Sequence, residues 1–459
     1  MTPEEFRKHG HEAVDWIAGY LENVRSYPVL PNVKPGALVK SLPASGPESG
    51  EPMEAILEDF RNLIVPAVTH WNHPRFMAYF ANTASAPGIL GEMLTAALNV
   101  NGMLWKSGPA ATELEQVTLG WLRQWMGLPG DWFGIIYDTA SVSTLHAIAA
   151  ARELADPDVR RFGNHGGLVL YCSDEAHSSV EKGALTLGIG QENVRKIPVD
   201  STFRMRADVL EAAINADRAL GRKPFCVVAT VGTTSTTSID PVPEIDAIAK
   251  RHGLWLHVDA AYGGSAAIVP EFRHILDGAA GADSLVVNPH KWLLTPMDLS
   301  VLYTRRPDVL KRAFWLAPEY LKTSEDGGVV NLMDYGVQLG RRFRALKLWF
   351  VMRSYGREGI ADVIRQHIAF AQDLARIIGA DPDFDVAAPA PFSLVCFRYL
   401  GSDDDNRRIL ETVNASGQAF LSHTILNGRV VLRLAIGNLG TTWDDVLQVW
   451  SLVRGALQA

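Results

Sequence analysis

Between residues 134 and 287 the chain alternates short apolar runs with longer amphipathic stretches, and no other feature narrows the fold as much. Apolar runs fall at 134–137, 168–172, 194–199, 225–231, 255–258 and 284–287. The spacing of apolar residues predicts helices over 142–154, 178–187, 208–220 and 243–251. Val, Ile and Leu fill the runs without polar alternation, as in strands covered on both faces. Parallel neighbours need a crossover, and the intervening helices provide it. The expected fold is therefore α/β with a mostly parallel central sheet. Ligands of such sheets lie outside the carboxyl ends of the strands, so the residues just past each run are the ones placed to carry chemistry.

The flanks differ. Thr2-Pro3-Glu4-Glu5 forms a capping box with proline at the first helical position, and Phe6, Ala13, Ile17, Tyr20, Leu21 and Val24 give the following helix one apolar face. A loop rich in Pro, Gly and Ser covers 27–52, and an acidic helix covers 53–65. Such a segment can hardly bury its apolar faces alone, so it is expected to pack on another subunit or on the main body. From 355 onward a long helix, short strands near 392–397 and 430–436 and a terminal helix predict a smaller α+β domain. The expected division is an arm over 1–80, a large α/β domain over 81–360 and a small domain over 361–459. Net charge is −8 and no basic block occurs, which argues against a nucleic-acid surface. Cys172, Cys226 and Cys396 are scattered in apolar runs, as reduced thiols of a cytoplasmic protein would be. No apolar stretch approaches the roughly 20 residues that cross a bilayer, and the N-terminus does not read as a leader, so no membrane partner is expected.

Five segments lie just past apolar runs. The run 284–287 ends in Asn288-Pro289-His290-Lys291-Trp292. Its lysine either turns back into solvent or stays desolvated, in which case its pKa falls and the neutral amine can attack an aldehyde. Residues 138–144 (DTASVST) open a helix; they form either an anion site of backbone N–H groups and hydroxyls or a plain N-cap. His177 is either a structural ring at a helix entry or a flat surface for a flat ligand. Residues 232–238 (GTTSTTS) either hold a ligand edge or satisfy their own hydroxyls. Asp259, among apolar neighbours, needs a partner that keeps it charged: an arginine, or a protonated pyridine nitrogen. An anion cradle, a stacking ring, a carboxylate and an amine at one sheet edge match the needs of pyridoxal 5′-phosphate.

With those residues placed, the chain resembles the group II pyridoxal-phosphate-dependent amino-acid decarboxylases, and within them the aromatic-L-amino-acid decarboxylases. HPRFMAYF (73–80), SGPAATELE (107–115), DEAHSSVEK (174–182), WLHVDAAYGGSA (255–266), NPHKW (288–292), LGRRFRALKLWF (339–350) and LRLAIGN (432–438) carry the likeness. The resemblance implies the fold type I architecture of the aspartate aminotransferases and a homodimer with an extended N-terminal arm. It implies that Lys291 holds the cofactor as a Schiff base, Asp259 pairs with the ring nitrogen and His177 stacks on the ring. Thr139, Ala140, Ser141, Thr234, Ala261, Asn288 and His290 match positions around the cofactor and its phosphate. Tyr320 matches the tyrosine of an active-site lid and is the implied proton donor, with His177 as relay. Trp71, Tyr79, Phe80, Asn82, Asn101, Met103 and Gly340 match the region lining the substrate side chain. No metal is implied.

The implied reaction is decarboxylation of an aromatic L-amino acid (tryptophan, tyrosine, phenylalanine or dihydroxyphenylalanine) to the amine. Glycine at 340 matches indole-preferring relatives, whereas phenol-preferring ones have serine. Asp138 departs from the usual glycine and would repel a phosphate unless it faces away. The nearest rival is an aldehyde synthase on the same scaffold, in which oxygen meets the carbanion; such relatives replace the lid tyrosine by phenylalanine or the stacking histidine by asparagine, and this chain keeps Tyr320 and His177. A more distant rival is a metal hydrolase using His257, Asp259 and His290, since His257 and Asp259 share a strand face. A nicotinamide dehydrogenase is disfavoured because no G-x-G-x-x-G opens a helix after a strand.

Overall fold

The computed structural model describes residues 1–316 and 328–457, and these divide into two compact units. One unit comprises 82–375 with 388–395; the other comprises 1–81, 376–387 and 396–459. The smaller unit opens with α1 (Pro3–Asn23), whose capping box forms as its sequence requires: Thr2 accepts from the Glu5 N–H, and Glu5 reaches back to the Thr2 N–H. No residue of α1 is buried.

In the larger unit, α2 (Ala86–Leu98) and α3 (Pro109–Met126) precede a seven-stranded sheet. Its strands are β1 (Phe133–Tyr137), β2 (Leu168–Ser173), β3 (Val194–Ile197), β4 (Lys223–Thr230), β5 (Trp255–Asp259), β6 (Ser284–Val287) and β7 (Ser300–Thr304). They lie in the order β1-β7-β6-β5-β4-β2-β3. Only β7 runs against the others, pairing antiparallel with both β1 and β6. The mostly parallel α/β sheet read from the sequence is thus present, with one strand added. The run SVLYT is as apolar as its neighbours, and the twelve residues 288–299 before it would allow either sense; its pairing with β1 and β6 is what shows the reversal.

The helices α4 (Ala140–Ala155), α5 (Ser179–Thr186), α6 (Ala207–Ala219) and α7 (Val242–His252) fall on the expected stretches within about two residues, the usual uncertainty of helix ends. Ala147, Ile148, Ala150 and Ala151 of α4 are buried against Ile135, Leu170, Cys172 and Val228 of the sheet. The alanines let this helix approach the strands closely, so that its N-terminus stays at the strand ends. One turn, α8 (Pro289–Trp292), carries the lysine segment. The last long helix, α9 (Ala345–Gly379), starts ten residues before the expected 355 and is broken at Gly356, where φ is +63°. That break is why the periodicity read from the sequence restarts near Tyr355.

The smaller unit holds a four-stranded sheet in the order β10-β11-β9-β8, made of β8 (Phe384–Val386), β9 (Leu394–Tyr399), β10 (Ser422–Leu426) and β11 (Arg429–Ala435). Two further capping boxes, Ser402 with Asp405 and Thr442 with Asp445, start α10 (Asp403–Ala415) and α11 (Trp443–Gly455).

Candidate active site

The parallel strands bring their carboxyl ends to one edge in a fixed register. Thr230 of β4 lies level with Asp259 of β5, and Asp259 with Val286 of β6. Past the strands the ladder continues: the Val231 N–H donates to the Asp259 carbonyl at 2.8 Å, and the Asn288 N–H to the Ala261 carbonyl at 3.0 Å. The backbone around Asp259 and the segment that opens the lysine turn are therefore stitched together directly.

Asp259 is buried, and its Oδ1 accepts the Ala261 N–H at 3.1 Å. Among the described residues no arginine pairs with it, and Lys291 is a cation that feels its charge. Lys291 is half-buried as a whole residue, but its ammonium is desolvated: burial pushes its pKa below the ordinary lysine value and the charge of Asp259 pulls it back. His177 remains exposed, yet desolvation is still the largest influence on its ring and lowers its pKa, with Asp259 raising it and Lys291 and Lys182 lowering it. His177, Asp259 and Lys291 thus feel one another's charge. The Ser179 N–H donates to His177 Nδ1 at 3.1 Å, which leaves the proton of the neutral ring on Nε2.

At the end of β1, Thr139 is the N-cap of α4 but makes no side-chain cap. The first-turn amides of Ala140 and Ser141 have no helical acceptor, and they stand at the positive end of a 16-residue helix. Asp138 is held by hydrogen bonds to both carboxylate oxygens. Its Oδ1 accepts the Thr139 N–H at 2.7 Å, and Gln338 Nε2 reaches its Oδ2 at 3.5 Å. In the 232–238 loop the internal reading holds for most hydroxyls: Thr233, Thr236 and Ser238 bond one another, and Thr237 bonds the Thr236 carbonyl, all of them buried. Thr234 is the exposed member of that run.

These residues fit pyridoxal phosphate on grounds internal to the molecule. Asn288 is 2% exposed and its Oδ1 has no hydrogen-bond partner, and the hydroxyls of Ser173 and Thr230 at the ends of β2 and β4 are likewise buried and unpartnered. Such atoms are costly unless something polar meets them. The metal reading has less support. His257 bonds Ser284 through Nδ1 at 2.8 Å and His290 Nδ1 accepts the Leu299 N–H at 2.9 Å; among the described residues no group of three His, Cys, Asp or Glu side chains is placed to hold an ion.

The proposed substrate-lining residues fall into separate groups. Asn101, Met103 and Gly340 meet in the larger unit: Asn101 Oδ1 accepts the Arg341 N–H at 2.9 Å, its Nδ2 lies 3.6 Å from Met103 Sδ, and a Cβ added at Gly340 would stand 3.8 Å from that same Nδ2. Asn82 Nδ2 approaches Met297 Sδ at 3.5 Å. Within the smaller unit, Trp71 stacks on Phe76 and Tyr79, and Phe80 lies beneath the Arg433 guanidinium. Tyr320 lies outside the described residues.

Two supporting carboxylates escaped the sequence reading. Glu115, buried, takes the Ile136 N–H at 2.8 Å and Arg341 at 2.9 Å, and so clamps β1 to the segment that carries Gly340. Asp240, also buried, accepts the N–H groups of Thr230 and Met205 at 2.8 and 2.7 Å, and burial pushes its pKa up to about 6. The signal for Asp240 was present: an acid placed just after the hydroxyl-rich loop and just before Pro241.

Comparison with known proteins agrees with this arrangement. The family model described as the pyridoxal-dependent decarboxylase conserved domain matches residues 35–400. Tryptophan decarboxylase TDC2 of Camptotheca acuminata is 44% identical, covering 100% of this chain and 96% of that protein. Phenylacetaldehyde synthase of a Rosa hybrid cultivar is 42% identical, covering 100% and 95%. The crystal structure of Oryza sativa TDC with PLP and tryptamine superposes with a TM-score of 0.96 at 39% identity, covering 100% of this chain and 98% of that one.

Three buried histidines give the protein a pH dependence. Burial holds His146 and His257 at about 4 and His290 at about 3. Their folded values lie below the unfolded one, so the stability they contribute is complete above about pH 6.5 and drains away as pH falls through the folded values, by about 1.4 kcal/mol per pH unit for each ring. Urea midpoints at pH 7, 6 and 5 should fall in sequence. His146→Gln should shallow the fall, because glutamine can still serve the Val142 carbonyl and the Val337 N–H that His146 bonds. A midpoint that stays constant from pH 7 to 5 would contradict the assignment.

Proposed function

This chain belongs to the pyridoxal-dependent decarboxylase family, and from that footing we propose that it removes the carboxyl group of an aromatic L-amino acid as CO2 and releases the amine. The observation that carries the reading is the desolvated Lys291 beside the charge of a buried Asp259 to which no arginine is paired among the described residues. When bound, pyridoxal phosphate supplies an aldehyde for the amine and a protonated ring that accepts the electrons of the breaking carboxylate bond. The chain does the rest. A lowered pKa raises the neutral, nucleophilic fraction of Lys291. Asp259, held by the Ala261 N–H, would hold a proton at the ring nitrogen. Thr139, Ala140, Ser141 and Thr234 would hold the phosphate, and Asn288 and His290 lie in the segment that carries the lysine. His177, whose neutral ring has its proton on Nε2, would cover the ring and relay a proton from the donor Tyr320.

The relatives named above include both decarboxylases and aldehyde synthases. Retention of Tyr320 and His177 favours a proton over oxygen as the partner of the carbanion. Purified protein should show a visible cofactor band, trap the cofactor on Lys291 with borohydride, and release amine and CO2 from tryptophan, tyrosine, phenylalanine or dihydroxyphenylalanine. Lys291→Ala should abolish trapping and turnover together. Peroxide formed in step with CO2 would replace this reading with the aldehyde synthase.

Among aromatic substrates we favour an indole. Gly340 leaves open space beside Asn101, which a serine side chain would narrow. Gly340→Ser should lower the ratio of kcat/KM for tryptophan to that for tyrosine by about tenfold, the range seen when a pocket loses room for a small group. An unchanged ratio would remove Gly340 from the specificity determinants.

We further infer a homodimer. In the smaller unit α1 has an apolar stripe and no buried residue. In the larger unit α2 leaves Leu90, Leu94 and Leu98 about half exposed. Apolar faces of this kind mark protein contacts. Sedimentation should give twice the 50.2 kDa chain mass, and a monomer at working concentration would refute the inference. The three cysteines are free and buried, which suits a reducing compartment such as the cytoplasm.

A further inference from the structure

The lysine turn α8 is four residues long, and its N-cap Asn288 makes no side-chain cap. One isolated turn has no helical stability of its own, since nucleation is unfavourable and isolated helices need roughly 12–15 residues to be even marginal. The direction of Lys291 is therefore set by what anchors its neighbours. On one side His290 is held by the Leu299 N–H. On the other side Trp292 is fully buried in an aromatic assembly that the mechanism above does not use.

Trp292 lies flat on Tyr262, with ring centroids 4.7 Å apart and an interplanar angle of 7°. Phe392 meets both rings edge-on, at 88° and 87°. The Trp292 indole N–H donates to Nδ1 of His367 at 3.0 Å, and the two rings are nearly coplanar, at 2°. His367 is itself fully buried on α9. The hydroxyl of Tyr262 bonds that of Ser393. This assembly touches both sides of the site through the chain: Tyr262 is three residues beyond Asp259, and Trp292 is the residue after Lys291. Stacking alone lets an indole rotate or slide in its plane, because offset arrangements are all favourable. A single directional bond from the indole nitrogen removes that freedom.

We propose that His367 is a positioning residue which, through the Trp292 indole, fixes the orientation of Lys291 relative to Asp259. The inference rests on the reading of Lys291 as the cofactor-bearing residue. The part of His367 is to supply one acceptor at the back of the stack, so that the single turn bearing the amine has one orientation before cofactor arrives. In a buried setting the acceptor cannot be replaced by water, and losing it leaves the indole N–H unsatisfied.

The test uses the full-length protein freed of cofactor and reconstituted with pyridoxal phosphate. His367→Phe keeps the ring and removes the acceptor; His367→Gln can restore an acceptor. In His367→Phe the dissociation constant for pyridoxal phosphate should rise about tenfold, the equivalent of one buried hydrogen bond, and the rate of Schiff-base formation should fall with it. His367→Gln should recover most of both. Trp292→Phe, which removes the donor, should produce a similar loss, and the double variant Trp292→Phe/His367→Phe should be no worse than either single one, because both changes delete the same bond. A purely structural role would lower the melting temperature and leave cofactor affinity and Schiff-base rate of the folded protein at their wild-type values; that result overturns the proposal, as does strict additivity in the double variant. If His367→Phe does not fold, Trp292→Phe compared with His367→Gln decides the matter by the same two readouts. Absence of borohydride trapping on Lys291 in the unmodified protein would instead defeat the underlying reading, so the two failures are distinct.

Discussion

Everything at the reactive edge depends on how β5 and β6 are hydrogen-bonded. Their parallel ladder sets Asp259 level with Val286, and its continuation through Ala261 and Asn288 carries the alignment to the start of the lysine turn. Because ladder spacing is fixed by peptide geometry, a carboxylate and an amine placed at these ends have little freedom to drift apart. Their charges then shape each other: Asp259 opposes the desolvation of Lys291 and the loss of proton affinity at His177. The fold puts these groups within range, and burial makes the range matter, since charges interact more strongly where water is scarce.

Around this core fixed hydrogen bonds hold shape. Burial disfavours the charged form of His146, His257 and His290, and each ring bonds a fixed partner through Nδ1. The hydroxyl-rich loop after β4 closes on itself and is tied down by Asp240. The buried ion pair of Glu115 and Arg341 is costly to desolvate, yet it binds backbone groups of β1 on both sides and so specifies one arrangement. Buried polar atoms without partners are spread through the molecule, and three of them, on Ser173, Thr230 and Asn288, lie at or just past the strand ends where a ligand is expected.

Much of this was legible in the sequence because the parallel sheet announces itself through unbroken apolar runs, and its chemistry follows at predictable offsets. Lys291, Asp259 and His177 could be singled out because each is an ionisable residue placed just after such a run. What the sequence could not disclose were pairings across long separations. The strand SVLYT reads like its neighbours, and only the tertiary pairing reverses it. The bond from Trp292 to His367 joins residues 75 apart, and that from Glu115 to Arg341 joins residues 226 apart. Asp138 looked like a charge in the wrong place; its hydrogen bond from the Thr139 amide depends on local torsions that residue type alone does not fix.

The reversed strand β7 has a metric consequence. It separates β1, which leads to the helix N-terminus, from β6, which leads to the lysine turn. Its first residue, Ser300, lies level with Tyr137, and its hydroxyl bonds Ser143 in the first turn of α4 at 2.8 Å. Two inter-strand spacings of roughly 4.7–4.9 Å each therefore stand between the two walls. The sheet acts as a ruler: backbone pitch sets the ends of β1 and β6, from which the helix and the lysine turn depart, roughly 9–10 Å apart.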